Sequence, residues 1–187
     1  MEDIRKVFAI QWVGPFKTLD DMKSYLKNPE TCDESLFCFY YFRGNKKGAG
    51  HPSTKYYNYF GITNQRSIAD RLCKSHEHYK DFHENDNMRI WIGAFSDVAK
   101  QIPENIADVE TVLISTYRKS FTENIRKKLS PLRESVCIIN RWYKPDETPY
   151  KCKKADVRHF HDVLIYEKDI DSFCVGSLKK GIGYISE

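Results

Sequence analysis

Two short aromatic runs constrain the fold of this chain more than any other feature. The first is LFCFYYF at 36–42, and the second is YYNYFGI at 56–62. Continuous runs rich in Phe and Tyr are typical of strands that are covered on both faces. The segment between them contains three glycines and one proline, which is typical of a loop. The sequence therefore predicts an antiparallel hairpin of two buried strands.

The residues after this hairpin predict the rest of a small α+β core. Residues 68–82 have apolar side chains at helical spacing, which predicts an amphipathic helix. The run MRIWIGAF at 88–95 predicts a third strand, and Pro103 marks the start of a helix that extends to about Phe121. We therefore expect a small three-stranded antiparallel or mixed sheet flanked by helices.

The flanking segments are predicted to add strands and a helix to this core. A strand is expected at 7–13, and Thr18 followed by Asp21 predicts a helix that ends at Leu26. Further short strands are expected at 136–142, 162–169 and 172–186. We divide the chain into an N-terminal extension at 1–35, a core at 36–126 and a basic C-terminal extension at 127–187.

Positive charge is concentrated in the second half of the chain. The net charge is +4, but the segment from Arg118 to Arg158 carries +7, so the remainder carries −3. Such asymmetry favours an anionic polymer as a partner, although a basic segment is also typical of a solvated surface.

Composition excludes several classes of protein. Aromatic residues make up 14% of the 187, which is enough apolar surface to favour a folded chain over a disordered one. No apolar run approaches the roughly 20 residues of a membrane span, and the chain begins with charged residues, so we expect an intracellular, cytoplasmic protein without membrane contact. The six cysteines contain no C-x-x-C pair, which favours free or buried thiols over zinc ligands or disulfides.

Residues able to support catalysis occur in a fixed order along these elements. Cys38-Phe39-Tyr40 lies in the first aromatic strand and Tyr59-Phe60-Gly61 in the second. Arg71 follows on the next helix, Glu110 on the long helix, and Asn124 beyond it. This order resembles that of the GIY-YIG nucleases, whose core begins with two strands that carry Gly-Ile-Tyr and Tyr-Ile-Gly. The resemblance covers residues 36–126, about half of the chain, and Cys38 replaces the first glycine.

The resemblance implies a divalent-metal-dependent endonuclease that hydrolyses DNA phosphodiester bonds. The residues it marks as catalytic are Tyr40, Tyr59, Arg71 and Glu110, with Glu110 as the ligand of Mg²⁺ or Mn²⁺. The residues expected to support them are Gly61, His76, Asn124 and Lys55. Arg126, Lys127 and Lys128 follow Asn124 directly and are expected to contact the DNA backbone.

These residue types suit the chemistry of phosphodiester hydrolysis. One carboxylate with substrate oxygens and waters is a sufficient set of ligands for Mg²⁺, and an arginine can bind a phosphate through two parallel hydrogen bonds. Tyr40 would orient or deprotonate the attacking water. Ionising a tyrosine at pH 7 costs about 4 kcal/mol, so Lys55 or the metal would have to lower its pKa. We expect the two tyrosines, Arg71 and Glu110 to meet on one face of the small sheet.

Other interpretations of the same residues remain open. The tyrosines could simply pack, Arg71, Glu110 and His76 could be surface residues of helices, and Asn124 could cap a helix or turn. A nucleic-acid-binding protein with a decayed nuclease core would also explain Cys38, and an enzyme that acts on small phosphorylated molecules is a third possibility. RNA is not excluded as the substrate.

Overall fold

The computed structural model describes residues 6–29, 32–47, 57–64, 66–83, 87–118, 124, 129–150, 160–178 and, for the backbone only, 181–184. Within these residues there are three short helices: α1 (Leu19–Leu26), α2 (Ile68–Arg71) and α3 (Pro103–Thr116). The strands are β1 (Lys6–Phe16), β2 (Phe37–Gly44), β3 (Tyr57–Ile62), β4 (Arg89–Phe95), β5 (Val136–Tyr143), β6 (Val163–Glu167), β7 (Ser172–Ser177) and β8 (Gly181–Tyr184).

All these strands belong to one mixed sheet in the order β3-β2-β4-β1-β5-β6-β7-β8. Seven of them form a strongly curled half-barrel, and the short β8 pairs with β7 at its edge. The protein is therefore mostly β, and the predicted α+β fold with a small three-stranded sheet is wrong.

The reason for this difference is the position of β1 in the sheet. β1 pairs with β4 on one side in antiparallel orientation and with β5 on the other side in parallel orientation. The backbone of β1 thereby forms hydrogen bonds with the N–H and C=O groups of β4 and β5, which would otherwise be unpaired at the edges of these strands. Strands from all three predicted segments of the chain consequently share one sheet.

The predicted aromatic hairpin is present within this sheet. β2 and β3 are antiparallel, with Phe39 opposite Ile62 and Phe42 opposite Tyr59, and β4 pairs with the other side of β2. Side chains alternate along β2, so that Phe39 packs on one face of the sheet and Tyr40 on the other. Both faces are covered, by α3 on the first and by α1 and α2 on the second, which explains the continuous aromatic run.

The predicted starts of α1 and α3 are confirmed, that of α1 together with its predicted capping box. The Thr18 hydroxyl accepts the Asp21 N–H at 3.0 Å, and the Asp21 carboxylate accepts the Thr18 N–H at 3.1 Å. Pro103 occupies the first turn of α3.

The prediction of a helix over 68–82 is correct for the first turn and wrong for the residues that follow it. α2 ends at Arg71 because Leu72 leaves the helical region, at φ −97° and ψ 88°. Further along, Nδ1 of His76 accepts the backbone N–H groups of His78 and Tyr79 at 3.3 and 3.4 Å. A side-chain acceptor of this kind competes with helical hydrogen bonds, and the segment forms turns instead.

Two further expectations concern cysteines and membranes. Five cysteines lie in the described part of the chain, and none of the five forms a disulfide there: Cys32, Cys38, Cys73, Cys137 and Cys174. Among the helices that the structure describes, none combines the length and the apolar character of a membrane span.

Candidate active site

Tyr40 and Tyr59 lie side by side on the sheet face that α1 and α2 cover. They come from the neighbouring strands β2 and β3, and their ring centroids are 6.1 Å apart. Tyr40 is fully buried, and Tyr59 is 7% exposed. The hairpin therefore brings together the two tyrosines that the sequence marked as catalytic.

Gly61 makes the position of the Tyr40 ring possible. The two residues are directly opposite in the register of β2 and β3. A Cβ atom at position 61 would lie 2.5 Å from the Tyr40 hydroxyl oxygen and 2.6 Å from its Cε2 atom. These separations are far shorter than van der Waals contact, so any side chain at position 61 would displace the Tyr40 ring. Glycine is required here because of close approach.

His76 forms a hydrogen bond with the Tyr40 hydroxyl. Its Nε2 lies 3.0 Å from that hydroxyl, and His76 is buried rather than exposed on a helix face. Because its Nδ1 accepts two backbone N–H groups, the proton of the neutral ring belongs on Nε2. His76 therefore donates to the phenol oxygen. Burial, assisted by the charge of Arg71, lowers the pKa of His76 to about 4, so the ring is neutral at pH 7.

Arg71 supplies positive charge to both tyrosines. It is the last residue of α2, whose first turn is capped by the Ser67 hydroxyl, which accepts the Asp70 N–H. Burial raises the pKa of Tyr40 well above its ordinary value, while the charge of Arg71 and its hydrogen bond to the hydroxyl oppose that rise. Burial likewise raises the pKa of Tyr59, and Arg71 again opposes the effect. Both phenols are consequently protonated at pH 7.

Glu110 approaches the tyrosines from the other side of the sheet. α3 packs on the face that contains Phe60, not on the face that contains Tyr40 and Tyr59, so the expectation of one shared face is wrong. Glu110 nevertheless lies close enough to Tyr59 for its negative charge to contribute to the raised pKa of that hydroxyl.

Glu110 is the carboxylate that the resemblance marks for a divalent cation. Its side chain is largely buried, with the residue 8% exposed. Within the described part of the chain, no three His, Cys, Asp or Glu side chains are grouped as metal ligands. A single carboxylate fits Mg²⁺, which retains several waters and uses substrate phosphates as further ligands.

Asn124 fixes the outer edge of β3. Its Oδ1 accepts the Phe60 N–H at 2.9 Å, and its Nδ2 donates to the Phe60 carbonyl at 2.8 Å. The side-chain amide thus takes the place of a neighbouring strand, and Asn124 is 3% exposed. It acts on the site by positioning Phe60, which lies between Tyr59 and Gly61.

A depression of about 250 Å³ opens beside the two tyrosines. Tyr59, Arg71 and His76 line it, whereas Tyr40 and Glu110 are not among its described lining residues. His78 also belongs to the site although the sequence did not predict it, and its ring stacks on Tyr59 with centroids 4.3 Å apart. The available signal was the His-x-His pattern at 76–78, which is equally typical of the polar face of a helix.

Five other residues that line this depression were not predicted, two of them carboxylates: Arg66, Asp70, Cys73, Ser75 and Glu77. Arg66 is exposed and adds a second guanidinium beside Arg71. Lys55 and the run Arg126, Lys127 and Lys128 lie outside the described residues.

Comparisons with known proteins give no relative from which a role could be transferred. Neither protein-family models, nor curated proteins, nor solved structures yield a significant match to this chain.

Proposed function

We propose that this protein is a divalent-metal-dependent endonuclease of the GIY-YIG type that hydrolyses DNA phosphodiester bonds. The observation that carries the proposal is the cluster at the hairpin. Tyr40, Tyr59, Arg71 and His76 come from separate parts of the chain and meet around one phenol hydroxyl, with Glu110 near Tyr59. These are the residues whose order in the sequence resembles that family.

Hydrolysis requires an attacking water, a bound phosphate and a stabilised leaving group. The oxygen of water forms a bond to phosphorus, the bond from phosphorus to the 3′ oxygen breaks, and that oxygen takes up a proton. Arg71, exposed beside the tyrosines, suits a phosphate oxygen of the substrate. The proposed role of Tyr40 is to orient the water and, once the phenol has released its own proton to solvent, to accept the proton of that water, while the leaving oxygen takes up a proton from solvent.

The environment of Tyr40 explains how a buried phenol could take that role. Its oxygen faces the Nε2–H of His76 and the guanidinium of Arg71. Both groups donate hydrogen bonds, so both stabilise negative charge that develops on this oxygen. Neutral His76 acts as a fixed donor in this arrangement and not as a base.

Mg²⁺ or Mn²⁺ would be held by Glu110 together with water and substrate oxygens. When bound, the cation would neutralise charge on the phosphate and on the leaving oxygen. Glu110 is suited to this role because its carboxylate is largely withdrawn from solvent and lies next to Tyr59.

A nucleic-acid-binding protein without catalytic activity is the second candidate. The observation that favours it is the complete burial of Tyr40, which does not line the depression beside Tyr59. A phenol that water cannot reach would support binding but not hydrolysis.

The decisive experiment is incubation of the purified protein with supercoiled plasmid in Mg²⁺, in Mn²⁺ and in EDTA. We expect nicking in either metal and none in EDTA. Glu110→Ala should abolish nicking while metal-free DNA binding stays near that of the wild type, because removal of one acidic group does not weaken attraction to a polyanion.

Glu104→Ala is the matched control, because Glu104 lies on the same helix, is exposed and forms a 3.5 Å surface ion pair with Lys6. It should cleave like the wild type. Full activity of Glu110→Ala would show that this carboxylate is not the metal ligand, and binding without cleavage by the wild type would favour the second candidate. If an excess of polymeric DNA did not inhibit the observed cleavage or binding, that result would indicate a small phosphorylated substrate instead.

A further inference from the structure

The depression beside Tyr59 continues into a second and larger one. A shallow cavity of about 340 Å³ is lined by Ile62, Thr63, Asn64, Arg66 and Arg71. Arg71 and Arg66 also line the depression at the tyrosines, so the two depressions are adjacent. Thr63, Asn64 and Arg66 in turn line a third depression, of about 460 Å³. A groove therefore extends from Tyr59 past the two arginines to the start of α3.

The far end of this groove combines an apolar wall with amide and hydroxyl groups. Phe37, Pro103 and Ile106 supply the apolar surface, and Asn64, Ser67 and Gln101 supply the polar groups. Gln101 is held in place because its amide nitrogen donates to the Ser35 carbonyl at 2.7 Å. The volume of this third depression lies within the range of about 300–1,000 Å³ that is typical of ligand-binding pockets.

We propose that this end of the groove, the Gln101 pocket, receives one unpaired base of the DNA strand next to the phosphate that is cleaved. The proposal rests on the proposed function, since Arg66 links the pocket to the candidate active site. The preferred substrate is then DNA with an unpaired nucleotide at the cleavage position.

The chemistry of the lining supports a base more than a further phosphate. Aromatic and apolar side chains such as Phe37 and Ile106 can pack against the flat face of a base. Side-chain amides such as those of Asn64 and Gln101 pair with the hydrogen-bonding edge of adenine. A base inside a duplex cannot enter a recess, so it must be unpaired already or be rotated out of the stack.

The charged residues that line the groove support the proposed path of the DNA strand. Arg71 lines the groove between the tyrosines and the Gln101 pocket, Arg66 lines both the groove and that pocket, and both arginines are exposed. Glu34 is the acidic residue among the described lining of the pocket, and its carboxylate accepts the Ala69 N–H at 3.1 Å. Among its described lining residues, the middle of the groove has two arginines without a carboxylate, whereas Glu34 accompanies Arg66 in the Gln101 pocket, and Asp70 and Glu77 accompany the arginines at Tyr59.

The test compares binding of three labelled duplexes to the full-length Glu110→Gln variant in EDTA, by fluorescence anisotropy. One duplex is fully paired, one contains a single unpaired adenine, and one contains an abasic site at that position. We expect the unpaired adenine to bind about fivefold or more tightly than the abasic site, which corresponds to the stacking of one base.

Variants of the pocket provide the second comparison. When Asn64→Ala and Gln101→Ala are added to the Glu110→Gln variant, its affinity for the adenine duplex should fall to that for the abasic duplex. The control substitution is Asn28→Ala, at an exposed residue away from the pocket, and it should not have this effect. Asn64→Ala alone, at an exposed position, gives the same comparison if the double change affects folding. Equal affinity of the Glu110→Gln variant for the adenine and abasic duplexes would overturn the Gln101 pocket as a base site and leave the nuclease proposal intact. Failure to bind any of the three duplexes would overturn both proposals.

Discussion

The hydroxyl oxygen of Tyr40 lies 3.0 Å from Nε2 of His76, and the direction of that hydrogen bond is determined by the other nitrogen of the ring. Because Nδ1 accepts from the backbone of His78 and Tyr79, Nε2 is the donor. The Tyr40 hydroxyl in turn donates to the Tyr59 hydroxyl, and this hydrogen bond raises the pKa of Tyr40 and lowers that of Tyr59. The Tyr40 oxygen thus accepts hydrogen bonds from His76 and Arg71 that favour its ionised form, whereas its burial favours the protonated form.

Tyr40→Phe should reduce the rate of plasmid nicking about a hundredfold or more, because this substitution removes the group proposed to accept the proton of water. Stability should fall by about 1 kcal/mol, since one buried hydrogen bond is removed. Thermal unfolding and the initial nicking rate measure the two effects.

Tyr41→Phe is the control for this substitution. Tyr41 is the next residue of β2, is equally buried, and donates to Asn58 at 2.6 Å on the opposite face of the sheet. A similar decrease in stability with normal activity is expected. Equal activity of the two variants would exclude a catalytic role for Tyr40.

The pKa of His76 predicts how stability depends on pH. Burial lowers this pKa from 6.5 in the unfolded chain to about 4 in the folded protein. Between these values the unfolded state binds more protons, so the stabilising contribution is complete above pH 6.5 and is lost as the pH falls toward 4. The loss amounts to at most about 3 kcal/mol.

Denaturant unfolding at pH 7 and pH 5 measures this effect. His76→Gln should decrease the difference in unfolding free energy between the two pH values, whereas the exposed His83→Gln should leave it unchanged. The same pH dependence in His76→Gln and the wild type would contradict the buried, neutral state of His76.

Gly61→Ala should destabilise the protein by about 1–3 kcal/mol and strongly reduce nicking, because the new methyl group would overlap the Tyr40 ring. Gly44→Ala, in the same hairpin, meets the flexible Met88 sulfur at 2.8 Å and should be tolerated better. Chemical denaturation and nicking assays test both variants. Equal stability of Gly61→Ala and the wild type would contradict the close packing of Tyr40 on position 61.

The basic segment that follows Asn124 gives a prediction that rests on the sequence alone. If Arg126, Lys127 and Lys128 contact the DNA backbone, their replacement by alanine should weaken binding to all sequences alike. The slope of log K against log salt should decrease by about 0.9 for each phosphate that the protein no longer neutralises. An unchanged slope would mean that this run is a solvated surface.

Much of the candidate site could be predicted because its parts occur in a recognisable order on locally determined elements. Tyr40, Tyr59 and Gly61 lie on a hairpin, whose register is a property of two adjacent strands. His78 and Arg66 could not be predicted in the same way. Their positions depend on how the chain turns after α2, and that turn is stabilised by His76, whose buried location no local pattern indicated.

The sequence by itself determined the features that depend on neighbouring residues: the aromatic hairpin, the capping of α1 at Thr18, and the start of α3 at Pro103. Only the tertiary structure decided that β1 lies between β4 and β5, which turns a small sheet into a curled half-barrel. It also decided that Glu110, on the helix that packs against the opposite face, lies near enough to Tyr59 for its charge to affect that hydroxyl. Pairing between strands far apart in sequence depends on the closure of long loops and on shared burial, and no local pattern encodes these.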